Sequence, residues 1–191
     1  MNKPSKPSMK ATSGITATPG RSPSSAGADG PLLTGFAPVY RADARVLILG
    51  SLPGAQSLAQ GRYYGNPRNQ FWLLVGAAIG VDLAGMDYPA RLGCLLDHRI
   101  ALWDAVATGQ RRGSLDTALR VQERADLAGL VAQLPQLRLL AFNGATAARQ
   151  AAATPHPPDR IVLPSSSPAH TMALARKQAE WSVISHYLGE G

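Results

Sequence analysis

The chain is predicted to be an α/β protein, a three-layer α/β/α sandwich around a central, mostly parallel four-stranded sheet. Runs of about five β-branched and leucine residues, RVLILG (45–50), IALWD (100–104) and RLLAF (138–142), read as strands buried on both faces. Helical patterns separate these runs, and strands alternating with helices imply crossover connections and parallel pairing. No internal repeat is visible.

Residues 1–30 are dominated by Pro, Ser, Gly, Ala, Thr and Lys, and before Asp29 they carry Lys3, Lys6, Lys10 and Arg21 with no acid. Such a segment buries too little apolar surface to offset its ordering entropy, so it is read as a disordered basic tail. It is either an inert extension or a weak, salt-sensitive attractor of polyanions. Residues 31–191 form the folded domain. Order is expected from Leu32–Tyr40, followed by the strand 45–50. A long Gly/Pro loop leads to a helix over Gln70–Ile79 and a second near Tyr88–Leu96. After the strand 100–104, Leu115–Arg120 is read as a short helix and Arg124–Gln133 as an amphipathic one ending before Pro135. The strand 138–142 precedes a helix over Ala145–Ala152. Arg160–Leu163 is a fourth strand, and His170–Leu188 closes the domain as one helix.

Composition narrows the function classes. Nineteen Lys and Arg against twelve Asp and Glu leave a formal charge of +7. That surplus fits nucleic acid, though a solvated basic surface would look the same. The single cysteine, Cys94, excludes a disulfide framework, a four-cysteine iron–sulfur cluster and a cysteine-based zinc site within one chain. The histidines at 98, 156, 170 and 186 show no metal-ligand spacing, and no metal or cofactor is expected. His98 and His186 read as helix-end or surface residues. No run approaches the roughly 18 apolar residues of a membrane span, and the N-terminus lacks a secretory apolar core. A cytoplasmic monomer with no membrane partner is expected.

In parallel sheets ligands bind beyond the carboxyl ends of the strands, which nominates the loops after Gly50, Phe142 and Leu163. The first reads GSLPGAQSLAQGRYYGNPRNQFW, residues 50–72. Gly50 and Gly54 permit a sharp turn and close approach to a ligand, and Pro53 stiffens it. Tyr63, Tyr64, Asn66, Asn69, Phe71 and Trp72 mix aromatics with amides, a set that stacks a planar heterocycle and hydrogen-bonds its rim. Of these, Trp72 reads as a core anchor. In the second loop Asn143 and Gly144 end the strand. Asn143 either caps the next helix or reads a base edge with its donor and acceptor. The third, LPSSSPAH (163–170), places Ser165, Ser166 and Ser167 between prolines, ahead of an expected helix. They are either caps or phosphate holders.

Together these blocks resemble the uracil-DNA glycosylase superfamily, most closely its hypoxanthine-DNA (deoxyinosine) glycosylase branch. The resemblance rests on the GS-x-PG turn, YYG-x-PRN-x-FW, ALWD, R-x-GSLD (Arg111 to Asp116), FNG and LPSSSPA, and covers roughly residues 40–185. It implies a monofunctional DNA-repair enzyme that flips a deaminated base, hypoxanthine foremost, out of damaged DNA and hydrolyses its glycosidic bond. Uracil-directed and mismatch-directed activities are the alternatives within the superfamily. By resemblance Asn69, and after it Asn66, positions the attacking water; Phe71, with Tyr64, stacks the base; Asn143 reads its edge; and Ser165–Pro168 inserts at the lesion. Ser51 stands where sister families carry an acid or Asn, and cannot place water well. Leu163 stands where the uracil enzymes carry His, so help to the leaving base must come from elsewhere, such as the Gly50–Gly54 amides. No lysine lies in these loops, so no Schiff base with the sugar is expected. Two rival readings are a serine hydrolase built on Ser51 or Ser165–Ser167 with His170 and Asp104, and a lesion-binding module without chemistry. GSLPG is not a nucleophile elbow, and Asn69, Phe71 and Asn143 argue against the binding module.

Overall fold

The computed structural model describes residues 30–111, 119–154 and 158–189. In chain order the elements begin with β1 (Leu32–Thr34), β2 (Val46–Gly50), α1 (Ala55–Gln60), α2 (Phe71–Ile79), α3 (Tyr88–Asp97), β3 (Ile100–Asp104) and β4 (Val106–Arg111). They continue with β5 (Leu119–Arg124), α4 (Leu127–Val131), β6 (Leu139–Asn143), α5 (Ala145–Gln150), β7 (Asp159–Leu163), α6 (Leu174–Trp181) and α7 (Val183–Leu188).

The four apolar runs pair as expected into one parallel sheet, ordered β3-β2-β6-β7. All of β2 is buried because it lies inside this sheet with a packed layer on each face. Val46, Ile48, Ile100, Leu102, Leu139 and Ala141 point into one core, against Phe71, Leu74 and Val75 of α2, Leu95 of α3, Trp181 of α6 and Ile184 of α7. Leu47, Leu49, Ala101, Leu140 and Phe142 point into the other, against Leu127 and Leu130 of α4 and Ala147 of α5. The alternation along each strand therefore feeds two cores, and burying each large aliphatic side chain contributes about 1.5–3 kcal/mol. Register brings Gly50 level with Asp104 and Asn143 level with Leu163, so the strand ends meet at one rim.

Three expectations are corrected. Leu119 and Arg120 are not helical: β5 pairs antiparallel with β4, which in turn pairs with β1, to make a separate three-stranded sheet. Leu119 and Val121 alternate with Arg120 and Gln122, a period-2 pattern too short to stand out in the sequence. The amphipathic helix then starts only at Leu127, where the Asp126 carboxylate accepts from Gly129 N at 3.0 Å. The closing helix is two helices. Ser182 Oγ donates to Ala179 O at 2.7 Å, a bond back to the preceding turn that breaks the run between α6 and α7. The tail at 1–29 and the GSLD segment at 113–116 lie outside the described residues.

Candidate active site

The loop after β2 is fixed from below. Ala105 N donates to Gly50 O at 2.9 Å and Val106 N to Ser51 O at 3.0 Å, tying the turn to the start of β4. The buried Arg111 guanidinium donates to the carbonyls of Leu52 and Pro53. Gly50 is needed for close approach: a Cβ there would collide with Asp104 Oδ1 and come within 3.1 Å of Tyr64 Oη. Gly54, by contrast, has ordinary φ (−69°) and open space where a Cβ would stand, so its expected role in a tight turn is corrected to that of the residue preceding α1.

The YYGNPRN stretch arches over the rim. Tyr63 is buried, its N–H donating to Tyr88 Oη at 2.9 Å and its hydroxyl to Ala37 O at 3.1 Å. Burial first, then the carboxylate of Asp104, pushes its phenol far above the usual tyrosine range. Asn66 Oδ1 accepts from Arg68 N and Asn69 Oδ1 from Phe71 N, each at 2.9 Å. Both amides thus close Asx turns, and the second covers an otherwise orphaned donor at the start of α2. Gln70 N donates to Ser166 O at 3.0 Å, which joins this loop directly to the serine block.

That block does not open a helix. His170 N donates to Ser167 O at 3.0 Å, closing a turn with Pro168 at its second position, and α6 begins only at Leu174. Ser165 Oγ accepts from Ser167 N at 3.2 Å and Ser167 Oγ from Ala169 N at 3.3 Å, so these hydroxyls shape the loop. Pro168, Ala169 and His170 project into solvent. The buried Lys177 holds the block from behind, its Nζ donating to Gln70 Oε1 and to His170 O, both at 2.8 Å. Desolvation lowers the pKa of this ammonium.

Asn143 sits where these segments meet. Its Nδ2 donates to Ser166 Oγ at 2.8 Å and to Tyr64 Oη at 3.0 Å, while its Oδ1 accepts from Ser166 N at 2.8 Å. Gly144 (φ +94°) turns the chain beneath it, with Ser165 Cβ 3.1 Å from where its own Cβ would be. Tyr64 completes the arrangement, lying flat on Phe71 with ring centroids 3.7 Å apart and planes 10° apart.

The predicted residues therefore divide. Asn66, Asn69 and Tyr64 line a cavity of about 540 Å³ with Arg62, Tyr88 and Arg91. Phe71 and Asn143 lie behind Tyr64. Phe71 is fully buried, with Tyr64 on its face and Trp72 and Trp181 edge-on to it, so the expectation of an open stacking face is corrected. Trp72 is a core residue. Among the described residues, no group of three or more His, Cys, Asp or Glu is placed to hold a metal ion, and no helix is long and apolar enough to cross a membrane.

A sequence profile of the uracil DNA glycosylase superfamily matches residues 37–187. The chain belongs to that superfamily. A Methanosarcina acetivorans protein named hypoxanthine DNA glycosylase is 40% identical over 157 residues, which is 78% of this chain and 96% of the relative. Its Methanosarcina barkeri namesake is 43% identical over 110 residues, 58% of this chain and 70% of that one. The solution NMR structure of a Methanosarcina acetivorans protein, titled as a candidate uracil DNA glycosylase, superposes with a TM-score of 0.73 at 38% identity. That match covers 83% of this chain and 99% of the other. This superfamily member is a DNA glycosylase for deaminated bases.

Three residues around the glycosylase site escaped sequence reasoning as site residues. Asp104 entered it only as the acid of a rejected hydrolase triad, although an acid ending an apolar buried strand is itself a signal. Arg111 appeared only inside a motif. Lys177 shares the i, i+4, i+7 stripe with Trp181 and Ile184, and that spacing marks it as inward-facing.

Proposed function

We propose that this glycosylase excises hypoxanthine from deoxyinosine in DNA, releasing the free base without cutting the strand. The observation that carries this reading is the pairing of a flat aromatic ring on the cavity wall, Tyr64 backed by the buried Phe71, with the Asn143 amide at the mouth of a parallel sheet. One stacks a base and the other reads its rim. The relatives named hypoxanthine DNA glycosylase support the choice of base.

The glycosidic bond is out of reach inside a stacked duplex, so the nucleotide rotates out at a cost of a few kcal/mol, smallest for a badly paired base such as hypoxanthine opposite thymine. Stacking on an aromatic ring returns on the order of 1–3 kcal/mol. Asn143 then reads the lactam edge, which adenine lacks. The bond breaks through a cation-like sugar. Asn69 is neutral and a poor base, so its part is to orient water through its carbonyl and favour the developing positive charge. Its Oδ1 already accepts from Phe71 N, but an amide oxygen has a second lone pair. Asn66 stands beside it in the same cavity as the alternative. The Gly50–Gly54 amides receive the charge gathering on the leaving base, and the Ser165–Pro168 segment, exposed at Pro168, inserts at the lesion.

Incubation with oligonucleotides carrying hypoxanthine, uracil or xanthine, with chromatography of the released base, tests this. Hypoxanthine should leave fastest and the strand should stay intact until alkali is added. Release of none of the three would sink the reading. Uracil leaving faster would move the activity to the second reading, which is favoured only by the lactam edge that both bases share.

A further inference from the structure

The cavity walled by Tyr64 and Asn69 measures about 540 Å³, a volume of the class that holds drug-sized ligands and more than a single purine needs. Its far wall is made by Arg62, from the loop after α1, and by Tyr88 and Arg91, from the first turn of α3. Only His98 and Arg99 separate α3 from β3, and the two elements pack together, so the helix runs back against the strand. Its first turn therefore stands at the end of the molecule where β2, β3 and β6 terminate.

Both guanidiniums on this wall lie over aromatic rings. Arg62 Cζ is 5.4 Å from the centroid of the Tyr88 ring, and Arg91 Cζ is 5.3 Å from that of Trp72. Arg91 is half-buried and braced, its Nε donating to Met86 O at 2.9 Å and its Nη2 to Ala84 O at 2.8 Å. Those bonds use two of the five N–H donors of a guanidinium, and neutral carbonyls leave its charge in place. Among the described residues the one acid on this wall is Asp87, whose Oδ1 accepts from Ala90 N at 2.8 Å to cap α3. Arg62 is exposed, and the ring beneath it is tied to the loop of Asn66 and Asn69, because Tyr88 Oη accepts from Tyr63 N at 2.9 Å. Two cations from different elements thus line the same cavity as the two amides.

We infer that Arg62 and Arg91 form a phosphate-binding subsite, which holds a phosphodiester of the damaged strand beside the extruded nucleotide. This rests on the glycosylase reading, in which that nucleotide occupies the Tyr64 end of the cavity. The ligand class is a backbone phosphate, which a forked guanidinium meets with paired N–H bonds. A fork already laid on a ring loses less freedom when it takes such a ligand than a free side chain does. Through the Tyr88–Tyr63 bond, a phosphate seated there also steadies the loop that carries Asn66 and Asn69. Neither arginine touches the reacting atoms; both position the strand.

The test compares the full chain as wild type, Arg62→Gln and Arg91→Gln, binding a duplex that carries non-cleavable 2′-fluoro-deoxyinosine, read by fluorescence anisotropy. Each phosphate flanking the lesion is replaced in turn by an uncharged methylphosphonate. One replacement should weaken wild-type binding by about 5- to 30-fold, yet weaken either variant by less than about twofold, the signature of groups that touch. A brace without a ligand would not produce that coupling. If Arg91→Gln fails to fold for want of its bonds to Met86 and Ala84, Arg91→Lys replaces it, with a loss expected between the other two. Equal losses in wild type and folded Arg62→Gln at every phosphate overturn the inference, as do equal losses for the Arg91 variant. Binding of inorganic phosphate to the free protein alongside such equal losses would mark an anion site off the strand and overturn it too. Coupling without release of any base from deoxyinosine DNA would remove the glycosylase reading and leave the strand-phosphate subsite standing. Base release with equal losses would do the reverse.

Discussion

At the scale of single residues, Asn143 does two jobs, since the same amide grips both Ser166 and Tyr64. Replacing it by Ala should slow excision by roughly 5- to 150-fold, the range of a lost edge contact worth about 1–3 kcal/mol. Ser166→Ala should cost clearly less, because it loosens the loop without removing the reader. Equal losses in single-turnover rate would mean that Asn143 only positions the loop. The sequence made Asn143 visible because an amide ends an apolar strand. It left the roles of Tyr64 and Phe71 ambiguous, because nothing local says which ring faces the cavity and which fills the core. Tyr63 carries a different prediction. Its folded-state pKa is raised, so the unfolded chain loses this proton first and stability falls as pH rises past about 10. The contribution of this one group is about 1.4 kcal/mol per pH unit, and urea titrations should show a shallower alkaline decline for Tyr63→Phe.

Among elements, the parallel sheet was legible because its strands are uninterrupted apolar runs, a pattern that only burial on both faces explains. The antiparallel β1-β4-β5 sheet was not, because β5 carries exposed charges and β1 is only three residues long and distant in sequence from β4. The serine loop was misread as a helix start because Ser-Pro signals a turn and a cap equally well. What holds that loop is Lys177, which links α6, the start of α2 and His170. Lys177→Met keeps the stem but leaves Gln70 Oε1 and His170 O without their donor. Losing hydrogen bonds from a charged donor costs about 1.5–3 kcal/mol, so the melting temperature should drop on the order of 5 °C. A variant as stable as wild type would show that other donors reach both oxygens.

For the molecule as a whole, the +7 charge becomes meaningful once a polyanion is the substrate. Affinity for lesion-free duplex should fall steeply with salt, each neutralised phosphate adding about −0.9 to the slope of log K against log salt. Arg68, exposed between Asn66 and Asn69, is placed to meet a phosphate. Arg68→Gln should flatten that slope by about one unit while leaving base preference alone; an unchanged slope would put this side chain off the DNA path.

Arg111 lies at the end of β4, in the smaller sheet, yet its guanidinium grips the backbone oxygens of Leu52 and Pro53. In a survey of random variants ranked by surviving repair, position 111 would therefore score alongside the residues that meet the lesion. A reader of such a ranking would mistake a brace for a tool.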